Sequence, residues 1–337
     1  MRRRDFLWLL GSAVTASSPG SVLAQRTRKV YRIAIVTAAL PVADISETGI
    51  TAFRVLLSEL RRLGYVEGQN LVVERYSAGG RSERYREIVA EVVRRRPDAA
   101  LAMGSGIVLE FKAQTATIPI VGFSSDPLAL GIVQSLARPE SNITGVSNDA
   151  GIEFWGKGLS LLKEAVPKLS RVGLLVATTT PEAQRVASAV KEAADTMGIS
   201  IVGAPLDGPV DETAYRRAFA DMVQEGAEAI YITTGRSAFF ADRRLIVALI
   251  KKLRLPAIYP FHEYVEIGGL MAYAADVPDV FVQAAQQIDQ ILKGTKPSDI
   301  PFYQARKFHL AINLKSAKAL GIEIPSSLLA RADEVIE

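Results

Sequence analysis

Residues 85–103 read YREIVAEVVRRRPDAALAM, and residues 215–233 read YRRAFADMVQEGAEAIYIT. Tyr85, Ile88, Val89, Val92 and Val93 fall on one face of a helix. Tyr215, Ala218, Phe219, Met222 and Val223 repeat that spacing residue for residue. At the same distance downstream each stripe is followed by a short apolar run, Ala99 to Met103 in one stretch and Ala229 to Thr233 in the other. A short apolar run after an amphipathic helix reads as a strand of a parallel sheet, buried on both faces. The unit occurs twice, and that duplication decides the fold.

Outward from the first copy, the pattern predicts strands over Val30–Val36, Asn70–Glu74, Ile118–Phe123 and Ile143–Val146. A helix stripe of Phe53, Leu56, Leu57, Leu60 and Leu63 ends at Gly64. Outward from the second copy come strands over Arg171–Val176, Ile199–Ala204, Leu255–Tyr259 and Gly269–Tyr273. Ala183, Val186, Ala187, Val190 and Met197 stripe another helix, which stops at Gly198. One more helix (Phe281, Ala284, Ala285, Ile288, Leu292), the breakers Gly294, Pro297 and Pro301, and a last strand over Phe308–Leu314 complete the chain. The expected fold class is α/β, with two similar open parallel-sheet lobes joined by a multi-crossing hinge. The expected lobes are 30–146 plus 278–295, and 147–277 plus 300–337, with crossings near Ser147, Asp276 and Thr295. Open α/β sheets bind ligands beyond the carboxyl ends of their strands, so the two lobes should share a cleft.

The first residues bear on the compartment. Arg2-Arg3-Arg4, the apolar run Phe6–Val14 and the small residues Val22-Leu23-Ala24 form a three-part export signal over 1–24, cleaved near Ala24. Arg3-Arg4-Asp5-Phe6-Leu7 fits a twin-arginine address, the general secretory route being the other reading. Either route leads to the periplasm. No later run is apolar enough to span a bilayer, so the mature chain is not expected to be membrane-embedded. The chain has no cysteine, which excludes disulfides, thiolate metal sites and a lipid-modified cysteine anchor. Arg2, Arg3 and Arg4 against Asp5 hold +2 of the formal +4, leaving +2 for the rest, too little for a nucleic-acid footprint. Arg94-Arg95-Arg96 before Pro97 read as cations at a helix C-terminus.

The chain resembles ABC-transporter substrate-binding proteins of the tryptophan/tyrosine-binding-like class over essentially its full length. The residues that carry the resemblance include Leu63-Gly64-Tyr65-Val66-Glu67-Gly68-Gln69-Asn70, Asp126-Pro127, Ser135-Leu136-Ala137-Arg138-Pro139 and Asn142-Ile143-Thr144-Gly145. Pro256-Ala257-Ile258-Tyr259-Pro260, Gly268-Gly269-Leu270-Met271 and the tail Ile312–Gly321 continue it. The resemblance implies a type I periplasmic-binding-protein-like fold, a small-molecule solute, permease and ATPase subunits as partners, and no chemistry on the ligand. It leads to aromatic or branched amino acids, or a related carboxylate compound, as the ligand class. A monomer without a cofactor is the expected form.

Candidate ligand-binding residues sit in loops after strands. In the first lobe they are Ala38, Ala39, Gly104, Ser105, Ser124, Ser125 and Asp126. Gly104-Ser105-Gly106 would open a helix whose N–H groups suit a carboxylate, although an ordinary N-cap gives the same pattern. Asp126 could pair with a ligand ammonium or cap the turn near Leu128. In the second lobe the candidates are Thr178, Thr179, Gly235, Arg236, Tyr259, Phe261 and Tyr273. Arg236 could clamp a carboxylate, and the three aromatics could form a wall or belong to the core. Trp155 stands at the cleft rim or in a helix core. A sensory module reporting to a membrane receptor would share this fold. An exported α/β hydrolase would need a Ser125–His262–Asp126 constellation, which lacks a Gly-x-Ser-x-Gly elbow.

Overall fold

The computed structural model describes residues 29–147, 152–177, 181–206, 208, 210–234 and 237–337. The export signal over 1–24, Thr178, Thr179, Gly235 and Arg236 lie outside the described residues. The first half runs β1 (Tyr31–Thr37), α1 (Thr51–Arg62), β2 (Leu71–Ser77), α2 (Tyr85–Arg95), β3 (Ala99–Met103), α3 (Ser105–Gln114), β4 (Ile120–Ser124) and β5 (Ile143–Ser147). The second runs α4 (Ile152–Ala165), β6 (Arg171–Leu175), α5 (Pro181–Thr196), β7 (Ser200–Val202), α6 (Glu212–Gln224), β8 (Ala229–Ile232), α7 (Ser237–Ala241), α8 (Arg243–Leu253), β9 (Ala257–Tyr259), α9 (Glu263–Glu266) and β10 (Met271–Ala275). The tail adds α10 (Val277–Leu292), β11 (Tyr303–Gln304), β12 (Phe308–Asn313), α11 (Leu314–Leu320), α12 (Ser326–Leu329) and β13 (Glu334–Ile336).

Two sheets result. The first has the order β11-β5-β4-β3-β1-β2 and the second β13-β12-β10-β9-β8-β6-β7. Stripped of the tail strands, both follow one order, as the duplicated helix–strand unit requires. Pairing is parallel throughout the described strands except between β10 and β12. The fold class expected from the sequence, α/β with two parallel-sheet lobes, is therefore the one observed.

Each sheet is covered on both faces, because short parallel strands joined by crossover helices leave no face to water. In the first lobe Phe53, Leu56 and Leu60 of α1 and Phe281, Ala284 and Ile288 of α10 fill one side. Ile88, Val89 and Val92 of α2 with Val108 and Phe111 of α3 fill the other. In the second lobe one continuous core holds Leu159 and Leu162, Val190, Tyr215 and Phe219, and Ile246. The first-lobe position of α10 follows from its start. Asp276 caps it by accepting from the Asp279 N–H at 3.1 Å, Pro278 stands in its first turn, and its apolar stripe lands on α1. Where a run of cations meets a proline, α2 ends with Arg96 in the left-handed region (φ 49°), and Arg254 ends α8 in the same way (φ 55°).

The described chain passes between lobes after Ser147, after Ala275 and after Gln304. The third passage differs from the expected one near Thr295. Tyr303 pairs with Val146 and Gln304 with Ser147, so residues 300–305 stay with the first lobe. Ile300 and Ala305 are buried in that lobe's core. The sequence reading missed this because a two-residue strand after a proline carries no periodicity. Asp279 ties this passage to α10: the Tyr303 hydroxyl donates to one carboxylate oxygen, and Lys307 lies 3.0 Å from the other. Burial raises the Asp279 pKa, but the hydrogen bonds from Tyr303 and Lys307 outweigh it and hold the carboxyl below its usual range.

An added methyl at Gly145 on β5 would stand 1.9 Å from the Gly122 carbonyl oxygen of β4. Gly145→Ala should lower stability by at least about 2 kcal/mol in urea denaturation, since neither strand can move without breaking the ladder. A depressed carboxyl stabilises above its unfolded-state value and loses that contribution as pH falls through its folded value. Asp279→Asn should therefore be less stable than the parent at neutral pH, and the gap should narrow on acidification. A gap that stays constant with pH would contradict the ion-pair assignment.

Candidate functional site

The carboxyl ends of the two sheets face one cleft. Phe123 and Ser125 come from the end of β4, Thr234 from the loop after β8, Pro260 and Phe261 from the loop after β9, and Ala275 from the end of β10. Phe154 and Trp155 of α4, Val186 of α5, and Val277, Val280 and Phe281 of α10 complete a chamber. Its lining is apolar and aromatic, with hydroxyls from Ser125 and Thr234. This apolar lining with a few hydroxyls suits a small organic molecule.

An adjoining chamber shares Ser125, Trp155 and Val186 with the first. It is more polar. Asp126 and Ser147 enter from the first lobe, Arg185 from the second, and Gln304 from β11. The Arg185 guanidinium donates to the Asp126 carboxylate, so an ion pair spans the cleft from lobe to lobe.

The rings are held by one another and by close backbone approach. Phe123 stacks on Phe281 at 5.5 Å, and Phe154 stacks on Tyr273 at 5.2 Å. Phe154 also meets Trp155 edge-on at 5.1 Å and Phe308 at 5.2 Å. The helix bearing Phe154 and Trp155 can sit low on the second sheet because Gly158 faces Tyr231. A methyl there would stand 2.4 Å from the Tyr231 hydroxyl oxygen. That hydroxyl donates to the Trp155 carbonyl at 2.9 Å, and burial pushes its pKa up, so it remains a donor. Trp155 is thus both a core residue, 7% exposed, and a wall of both chambers.

The residues expected from the sequence divide by position. Ser125, Asp126 and Phe261 line the chambers. Ser105 and Ser124 lie one layer behind: the Ser105 hydroxyl is 3.2 Å from that of Ser124 and 3.4 Å from that of Ser125. Gly104 is the N-cap of α3, with φ 112°, and its N–H is bound to the Phe123 carbonyl. Ala38 is buried with its N–H on the Met103 carbonyl, and neither Ala38 nor Ala39 reaches a chamber. Tyr259 is buried and stacked on Tyr264 at 4.9 Å, within the second lobe's core. Tyr273 stands behind Phe154. Asp126 caps its own turn, accepting from the Leu128 N–H at 3.0 Å and the Ala129 N–H at 2.8 Å. His262 faces Glu266 and Glu334, each at 3.4 Å, while Asp126 is turned to Arg185, so these two are not joined as a catalytic triad requires.

Phe123, Phe281, Val277, Val280 and Arg185 were not singled out as site residues by the sequence. The phenylalanines and valines carry the same signal as core residues. Arg185 lies on α5 beside its apolar stripe, where an arginine reads as a solvated face. Glu263 also went unread. Burial raises its pKa, and one of its carboxylate oxygens has no hydrogen-bond partner.

Comparison with known proteins gives a consistent result. The family described as ABC transporter substrate binding protein matches residues 45–336. A tyrosine-binding protein of Clostridioides difficile is 21% identical over 268 residues, covering 79% of this chain and 75% of that protein. A conserved domain protein of Vibrio cholerae superposes with a TM-score of 0.81 at 24% identity, over 91% of this chain and all of that one. A Streptococcus pneumoniae domain crystallised with L-Trp superposes with a TM-score of 0.78 at 21% identity, over 90% of this chain and 100% of that one. No helix among the described residues is long and apolar enough to cross a membrane.

The chain has two tryptophans, Trp8 and Trp155. With Trp8→Phe in place, emission should come from Trp155 at the short wavelengths of a buried indole and should resist quenching by iodide. Emission at water-exposed wavelengths with full quenching would contradict the position assigned to this ring.

Proposed function

Since the chain belongs to the ABC transporter substrate-binding protein family, we propose that it captures an aromatic or branched amino acid, or a related aromatic carboxylate, between its lobes. In this reading it works in the periplasm and hands the solute to an ABC permease driven by its ATPase. The observation that carries the ligand class is the chamber wall of Phe123, Phe154, Trp155, Phe261 and Phe281 with only two hydroxyl side chains. The tyrosine-binding relative and the neighbour crystallised with L-Trp support the same class.

Magnitudes favour the apolar body as the source of affinity. An aromatic ring system buries roughly 150–250 Å². At about 25 cal/mol per Å², that is roughly 4–6 kcal/mol before the cost of immobilising the ligand. A hydrogen bond to Ser125 or Thr234 would contribute about 1 kcal/mol net. A sugar, with many hydroxyls and little apolar surface, would leave its polar groups unpaired against these rings.

A thermal-denaturation screen tests the assignment. A ligand that binds only the folded chain stabilises it by about 2.7 kcal/mol at a hundredfold its Kd. L-Tryptophan, L-tyrosine, L-phenylalanine or indole-3-acetate should raise the midpoint, and D-allose and L-arabinose should not. A rise with the sugars alone would contradict the proposal.

A further inference from the structure

Asp126 and Arg185 are the charged side chains lining the polar chamber among the described residues, and they stand on opposite lobes. Each is fixed by its own element. The Asp126 carboxylate spends one oxygen on the Leu128 and Ala129 N–H groups, which sets its direction from within the first lobe. The other oxygen accepts from Arg185. Arg185 rises from α5, whose Ala183, Val186 and Val190 are locked in the second lobe's core. The Asp126 side chain is 17% exposed and that of Arg185 40%.

We propose that this pair is an interlobe latch: it holds the cleft shut over the contents of the apolar chamber without itself selecting them. A surface ion pair within one rigid body contributes little. Between two bodies joined by a hinge, the same pair exists in the shut arrangement and is lost in the open one. All of its energy then biases that equilibrium. The aspartate is oriented by its own backbone and already engaged by its turn, which suits a fixed catch better than a receptor for a ligand's ammonium. The pair lies beside Ser125 and Trp155, which wall both chambers, so opening it exposes the apolar chamber to water. As charged partners in reach of solvent, they weaken as salt rises. The effect on ligand release rests on the function proposed above, whereas the effect on lobe closure does not.

The test uses the full chain, with Arg185→Gln, Asp126→Asn and Arg185→Lys. Asparagine keeps the oxygen that caps the turn, and lysine keeps the charge. Small-angle scattering without added ligand reads the latch alone. Arg185→Gln and Asp126→Asn should expand the particle equally, to the value the parent reaches in about 1 M salt, where the screening length falls to about 3 Å. Arg185→Lys should stay compact at low salt. Identical radii for parent and variants at every salt concentration overturn the proposal, whether or not any aromatic compound binds. With L-tryptophan as probe, dissociation should quicken about tenfold in both neutral variants while association changes little. The same factor should hold for tryptamine and indole-3-propionate. A loss confined to the probe whose charge the substituted residue would complement makes Asp126 and Arg185 ligand contacts and also overturns the latch.

Discussion

Three passages of the chain between the sheets, after Ser147, after Ala275 and after Gln304, constrain everything else in this molecule. They leave from one side of the paired sheets, where β5 and β10 end and β11 gives way to β12. Two bodies joined in this way can rotate about that side, but they can neither separate nor slide freely. Parallel strands place all their carboxyl ends on one edge. Two such sheets hinged there present those ends to each other. The stack of Phe154, Tyr273 and Phe308 sits against the crossings and continues into the chamber wall through Trp155. Hinge packing and cleft lining are therefore one aromatic seam, and a change in lobe angle must move the surface a ligand would touch.

That seam also divides labour within the cleft. The apolar chamber offers area, which contributes affinity with little dependence on orientation. The polar chamber holds the Asp126–Arg185 pair, which in the latch proposed above keeps the cleft shut. Ser125 belongs to both, and behind it Ser105 connects the loops after β3 and β4. The α3 N-terminus lines neither chamber and meets Ser125 through the Ser105 hydroxyl.

Much of this was legible in the sequence because the architecture is periodic and occurs twice. Tyr215, Ala218, Phe219 and Met222 are buried as their match to the Tyr85 stripe requires, whereas Val223, the fifth member, is exposed, and β3 begins and ends where the apolar run did. The rule that parallel sheets bind at strand ends led to Ser125, Asp126 and Phe261. It led equally to Tyr259, which is the last residue of a strand covered on both faces and whose ring turned into the core. What was not legible depends on relations between distant elements. Nothing local distinguishes Phe281, which lines a chamber, from Ala284, which does not, because both lie on one stripe. Nothing near Arg185 announces Asp126, since that contact exists only when one lobe lies against the other. Thr178, Thr179, Gly235 and Arg236 lie outside the described residues, and their place at the cleft rests on strand-end position alone.

The central claim is that a small aromatic solute draws two hinged lobes together. The absence of cysteine makes one measurement direct. Cysteines introduced at the exposed positions Ala113 on α3 and Ser188 on α5 are unique attachment sites for spin labels, one per lobe. Pulsed electron resonance then reads the distance between lobes with and without saturating L-tryptophan. The account predicts that the distribution narrows onto its shorter component with L-tryptophan and is unmoved by L-arabinose. A distribution that L-tryptophan leaves unchanged while calorimetry shows it bound would contradict the claim.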